Sequence, residues 1–175
     1  MYISGRIDVW NKVVEHLKGH PERLQVAKVL VENGLSIRNG KIYCNRIVIP
    51  PVRVGRVANV DRRTVTETLK VIDDNPDLRA LFEGIRSAGH SLREVARYLN
   101  LGVVEITPTD AKTPGILAKS ASLLAERNIS IRQAIVDDPE LSPEPKLTLI
   151  AETEIPGELI PALLRIKGVD KVSIS

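Results

Sequence analysis

A chain of 175 residues has room for one larger domain or two small ones. With 43% hydrophobic and 27% charged residues it has a folded rather than a disordered composition, and at 3% aromatic its core must come from Val, Ile, Leu and Ala. The single cysteine, Cys44, excludes an intrachain disulfide and argues against a cysteine metal cluster; no apolar run approaches the roughly 20 residues of a spanning helix, and Met1-Tyr2-Ile3-Ser4-Gly5-Arg6 is no signal peptide, so a cytoplasmic protein is expected.

Residues 8–17 read as a helix, with Val9, Trp10, Val13, Val14 and Leu17 on one face. Gly19-His20-Pro21 breaks it. Pro21 starts a second helix that carries Leu24, Ala27, Val29, Leu30 and Val31 and ends at Asn33-Gly34. Asn39-Gly40 then marks a hairpin, because both residues tolerate positive φ, and its second arm is expected to run through residues 41–49 to Pro50-Pro51. Two helices follow, over 52–60 and 62–72. Asp73-Asp74-Asn75-Pro76 is a break, after which residues 77–87 and 91–99 read as connecting helices. Ser91 and Glu94 stand at the spacing of a capping box in the second of these.

Helix 52–60, the turn Asn59-Val60-Asp61 and helix 62–72 have the layout of a helix-turn-helix. A small residue, Gly55 or Ala58, lets the helices cross closely. Val65, Leu69 and Ile72 face inward, and the polar start of the second helix is left to enter a major groove. Arg53, Arg56, Arg62, Arg63, Thr64, Thr66, Glu67 and Lys70 are the candidate contacts to double-stranded DNA, since arginine pairs bidentately with guanine while lysine and threonine hold phosphates. Between residues 34 and 72 eight basic residues face only Asp61 and Glu67. The hairpin bases Arg38, Lys41 and Arg46 suggest a wing. The pattern resembles the helix-turn-helix of bacterial and archaeal regulators, although the turn lacks the glycine common there.

From residue 102 the alternation changes. A strand over 103–107, a helix over 114–127, strands over 129–136 and 146–153, a helix over 156–166 and a strand over 169–174 give the order β-α-β-β-α-β. That order is a split β-α-β unit, an antiparallel sheet with two helices on one face. The loop before the first helix, Thr107-Pro108-Thr109-Asp110-Ala111-Lys112-Thr113-Pro114-Gly115-Ile116-Leu117, ends on a helix N-terminus that suits a carboxylate, with Pro114 at its start. Asp110 suits an amine.

Asp110, Pro114-Gly115-Ile116-Leu117, the helix to Glu126-Arg127-Asn128, and Ile129-Ser130-Ile131 resemble the ACT domain, an amino-acid-sensing module of ferredoxin-like fold. The resemblance implies a ligand site of Asp110, Lys112, Thr113, Pro114, Gly115, Ile116, Leu117 and Ser130, with Gln133 beside it, and association into a homodimer or higher homo-oligomer. Ser130 and Asn128 stand where the family often has Asn and Gly.

The sequence therefore reads as an α+β chain: a (winged) helix-turn-helix domain over 1–76, connecting helices over 77–101 and an ACT effector domain over 102–175. Together the two domains resemble the archaeal predicted regulators of amino-acid metabolism. That resemblance implies a transcriptional regulator that binds DNA and a small effector, an amino acid. The alternative is a regulatory subunit that senses an amino acid and binds an enzyme partner without touching DNA. His16, His20 and His90 have no metal-ligand spacing, and no phosphate loop, nucleophile elbow or zinc motif occurs, so no enzyme activity, metal or cofactor is expected.

Overall fold

The structure is a computed structural model that describes residues 9–175. The expected chain start and the first residue of the first helix, Asp8, lie outside the described residues, as does the side chain of Val9. The fold is α+β, with two small antiparallel sheets in two compact units that meet at Gly89/His90.

The first unit begins with α1 (Val9–His16) and α2 (Pro21–Glu32), the latter started by Pro21 and closed by Asn33, whose backbone and side-chain N–H groups both donate to the Val29 carbonyl. The strands β1 (Leu35–Arg38), β2 (Lys41–Cys44) and β3 (Ile47–Ile49) form one sheet in that order. The β1–β2 turn has positive φ at both Asn39 and Gly40, as the sequence requires. The single arm expected over 41–49 is instead a second hairpin. Asn45 takes φ 54°, a conformation asparagine tolerates, and folds β3 back on β2 with Ile42 opposite Ile49.

The helices α3 (Pro51–Ala58), α4 (Arg62–Asp74) and α5 (Pro76–Gly84) complete this unit. The core gathers Val13, Leu17, Val26, Leu30, Ile37, Ile42, Val54, Val65, Leu69, Ile72, Leu78 and Phe82 from every helix and from the sheet. Full burial of each such large side chain contributes about 1.5–3 kcal/mol. α5 is thus not a connector: Leu78 and Phe82 are buried in the core of the first unit. Asn75 caps it by accepting from the N–H groups of Asp77 and Leu78.

The second unit opens with a strap, residues 90–101, that includes a 3-10 helix at Arg93–Leu99 rather than the expected α-helix. Ser91 does not form the expected capping box; its hydroxyl accepts from the N–H of Arg93, two residues on, as in a short hydroxyl-closed turn. The expected connector 77–101 is therefore divided, its first part packed into one unit and its second part into the other. Next come β4 (Gly102–Pro108), α6 (Ile116–Glu126), β5 (Ile131–Val136), β6 (Leu147–Ala151), a 3-10 turn at Gly157–Leu159, α7 (Ile160–Leu164) and β7 (Val169–Ile174). The sheet order is β5-β6-β4-β7, antiparallel at every neighbour, which matches the expected β-α-β-β-α-β order.

Side chains that alternate along β4 and β6 serve two faces. Val104, Ile106, Leu147, Leu149 and Ala151 pack with Ile116, Leu124, Leu159 and Leu163 of the helical layer. Val103 and Ile150 point the other way and meet Ala96 and Leu101 of the strap.

Candidate functional sites

Three backbone events fix the α3–α4 corner. Asn59 adopts φ 53°, the left-handed conformation usually left to glycine at such a turn. The Val60 N–H then donates to the Gly55 carbonyl at 2.9 Å. Asp61 caps α4, its carboxylate accepting from the Thr64 N–H at 2.7 Å. That backbone bond holds the Asp61 carboxyl below its ordinary value. Gly55 is the small residue the crossing needs: a β-carbon there would lie 2.8 Å from the Val60 carbonyl oxygen and 3.4 Å from Val65 Cγ2. Val65, Leu69 and Ile72 are buried as expected.

This inward phase turns Arg62, Arg63, Thr66 and Lys70 of α4 to the surface, and Arg53 and Arg56 of α3 are exposed too. Among the described residues no ion pair engages Arg53, Arg56, Arg62 or Lys70. The Thr66 hydroxyl donates to the Arg62 carbonyl.

Thr64 and Glu67, expected to read DNA, are half-buried and turned toward α2 instead. The Thr64 hydroxyl lies 3.4 Å from the Glu22 carboxylate, to which it donates. Glu67 accepts from Arg63 at 3.0 Å and from Arg23 at 3.4 Å. The hydrogen bond from Arg63 is the main reason its carboxyl sits below its ordinary value. Glu67 thus links α2 to α4 and pairs with Arg63, whose side chain stays at the surface.

The wing reading does not survive at the β1–β2 turn. Arg38 stacks over Tyr43 at 4.5 Å and donates to the Asn45 carbonyl at 2.7 Å. Gly40 lies beside Asp73, a β-carbon on it falling 3.8 Å from the carboxylate, at the far end of α4 from Arg62. Eleven residues of helix separate those ends by roughly 16 Å, so Arg38 and Lys41 flank the wrong end. Arg46 sits in the second turn and is exposed.

In the second unit the loop after β4 is tied to the turn before β7: the Thr109 N–H and hydroxyl both donate to the Gly168 carbonyl, at 2.9 and 3.3 Å. Asp110 closes a local turn, its carboxylate accepting from the Lys112 N–H at 2.9 Å. Gly115, at φ 91°, is the N-cap of α6, so the helix starts at Ile116 and Pro114 belongs to the preceding turn. With no side chain at the cap, Gly115 gives the first N–H groups of α6 no side-chain cap bond.

A cavity of about 190 Å³ opens here. Thr113, Gly115, Ile116 and Leu117 line it from the loop and helix, and Pro108 and Ala111 stand beside them. Its other wall is Val136, Asp137, Pro145, Lys146 and Leu147, from the end of β5 and the start of β6. Asp110, Lys112 and Pro114 are exposed and do not line it.

Two expected ligand residues lie elsewhere in this chain. Ser130 precedes β5, where Ile131 faces Ala151 and Ala151 faces Gly102, the first residue of β4. The cavity is at the last residue of β4, six residues or roughly 20 Å along the strand. Gln133 lies opposite Ile150, on the face away from the helices. Its side-chain amide is spent on the strap: the carbonyl accepts from the Leu92 N–H at 2.9 Å, and the NH₂ donates to the His90 carbonyl at 2.7 Å.

Sequence reasoning missed Pro108 and Ala111 of the loop and the whole opposite wall, Val136, Asp137, Pro145, Lys146 and Leu147, which comes from the β5–β6 hairpin. The only signal available was that two strands flank a polar, proline-containing turn. That these strands end beside the α6 N-terminus follows only once β6 lies between β4 and β5.

No protein-family model matches the chain, and no curated protein matches it. Among solved structures, the chain is similar to E. coli AsnC, at 14% identity and a TM-score of 0.30, over 88% of this chain and 87% of that one. It is also similar to a transcriptional regulator of Neisseria meningitidis solved as a complex with L-Met, at 15% identity and a TM-score of 0.27, over 88% of this chain and 86% of that one. At this similarity neither the fold nor the function of this chain follows from theirs.

Proposed function

We propose that the protein is a ligand-responsive transcriptional regulator. On this reading the first unit binds double-stranded DNA through α3 and α4, and the second is an ACT-type domain of ferredoxin-like fold that takes an amino-acid effector. The observation that carries the reading is the α3–α4 corner. Its helices meet over Gly55, bury Val65, Leu69 and Ile72, and leave Arg53, Arg56, Arg62 and Lys70 without ion pairs among the described residues. Those four charges serve phosphates or guanine edges, and Arg63 and Thr66 stand beside them. A homodimer through the second unit presents two such heads to half-sites about one helical turn apart. The chain acts by binding, and no catalytic step, metal or cofactor is assigned to it.

The test is equilibrium binding to a fluorescent DNA duplex. Four phosphate contacts per head imply that raising salt from about 50 to about 200 mM lowers affinity on the order of 100-fold per head. Arg62→Ala with Arg63→Ala removes binding. Absence of binding at low salt, or binding indifferent to salt, rejects the DNA reading in favour of a regulatory subunit that engages another protein.

A further inference from the structure

We propose that the cavity between the α6 start and the β5–β6 hairpin selects an effector with an uncharged aliphatic side chain. This rests on the reading that the second unit binds an amino-acid effector, and it adds the class of amino acid and the place where its side chain lies.

Size and lining carry the inference. At about 190 Å³ the space is smaller than the roughly 300 Å³ at which pockets for drug-sized ligands begin, so its occupant has the dimensions of a small metabolite. Pro108, Leu117, Val136, Pro145 and Leu147 make an apolar wall. Two of them, Leu117 at 43% and Val136 at 60% exposure, present large apolar surface to solvent in the absence of an occupant.

The two charged groups of the wall differ. The Lys146 ammonium is already 3.4 Å from Glu144, while the Asp137 carboxylate is held in place by the Lys146 backbone N–H, which donates to it at 3.1 Å. Asp110 is turned into its own loop by the Lys112 N–H. An anionic side chain entering the cavity gives up water, meets the Asp137 carboxylate and finds the Lys146 ammonium already beside Glu144, and a cationic one gives up its water along a mostly apolar wall in exchange for a single carboxylate that already accepts a hydrogen bond; both are unfavourable. An aliphatic side chain gives up nothing and covers Leu117 and Val136. Both walls belong to a single chain, and neither contains Ser130 or Gln133.

Thermal unfolding of the full chain with millimolar amounts of each of the twenty amino acids separates the possibilities. Leu, Ile and Val raise the melting temperature by several degrees through linkage, while Asp, Glu, Lys and Arg leave it unchanged. Val136→Asp, an exchange at an exposed position, keeps the ligand-free melting temperature and loses the aliphatic shift. Ser130→Ala, at the far end of the sheet, keeps the shift. A shift by charged amino acids equal to that of the aliphatic ones overturns the selectivity and leaves the effector reading standing. Survival of the aliphatic shift in Val136→Asp, or its loss in Ser130→Ala, overturns the location. No shift with any of the twenty removes the effector reading itself, and the selectivity with it.

Discussion

Alanine at Gly55 sets two physical effects against each other. Inside a helix the exchange of glycine for alanine normally stabilises by about 0.8–1 kcal/mol. At Gly55 the added β-carbon falls 2.8 Å from the Val60 carbonyl oxygen and 3.5 Å from the Asp61 carbonyl carbon, both backbone atoms of the turn that positions α4. Backbone cannot rotate aside, so the α3–α4 corner must open. Overpacking of this kind costs about 1–3 kcal/mol, which against the propensity gain leaves a net loss centred near about 1 kcal/mol and reaching about 2 kcal/mol. For a unit of this size a loss of about 1 kcal/mol lowers the melting temperature by roughly 4–8 °C. Gly84 is the control. It ends α5 with negative φ, and a β-carbon there meets nothing within 4 Å, so Gly84→Ala stabilises by about 0.5–1 kcal/mol. Circular dichroism melts of the two variants should move in opposite directions, and Gly55→Ala should also weaken duplex binding. A rise in melting temperature for Gly55→Ala matching that of Gly84→Ala would show that the corner has room, and the close-crossing argument would fail.

Three further outcomes follow from the same structure. The Ser120 hydroxyl is fully buried on the inner face of α6 without a hydrogen-bond partner among the described residues, so Ser120→Ala should raise the urea midpoint by the equivalent of about 1 kcal/mol; a lowered midpoint would mean that the hydroxyl is satisfied. Asp61 and Glu67 have carboxyls held below their ordinary values, by the Thr64 N–H and by Arg63 respectively, so their contribution is complete above the unfolded-state pKa near 4 and is lost as pH falls through the lower folded values. The melting temperature of the first unit should therefore drop below about pH 4.5, and Glu67→Gln should flatten the drop; an unchanged slope contradicts the pairing. Gln133→Leu keeps the volume and removes both strap bonds, so hydrogen exchange at the Leu92 amide should accelerate while amides of β4 stay protected; unchanged exchange at Leu92 would disprove the clamp.

The features legible in the sequence were those set by short-range chemistry. Asn39-Gly40 specified its own turn, and the spacing of Gly55, Val65, Leu69 and Ile72 specified the helix crossing, because each depends on neighbours within a few turns of chain. The errors fell where distant elements decide. Thr64 lies one residue from the inward Val65, and which way it leans depends on where α2 packs; Glu22 and Arg23 of α2 draw Thr64 and Glu67 inward. One asparagine without a glycine after it is a weak turn signal, yet Asn45 splits the expected arm into β2 and β3. The resemblance implies Ser130 and Gln133 beside the loop, whereas sheet order puts one at the other end of β5 and the other on the opposite face. The cavity is half legible, since its helix-side residues all fall within the ten-residue stretch 108–117, whereas its hairpin side joins the ends of two strands.

The strap clamp gives β5 a second office. The strand carries Val136 of the cavity wall at its end, and three residues earlier, roughly 10 Å away, Gln133 grips the backbone of His90 and Leu92. In mechanical terms β5 is a tiller within the second unit: a small tilt imposed at its cavity end is delivered, through two hydrogen bonds, to the backbone of the strap.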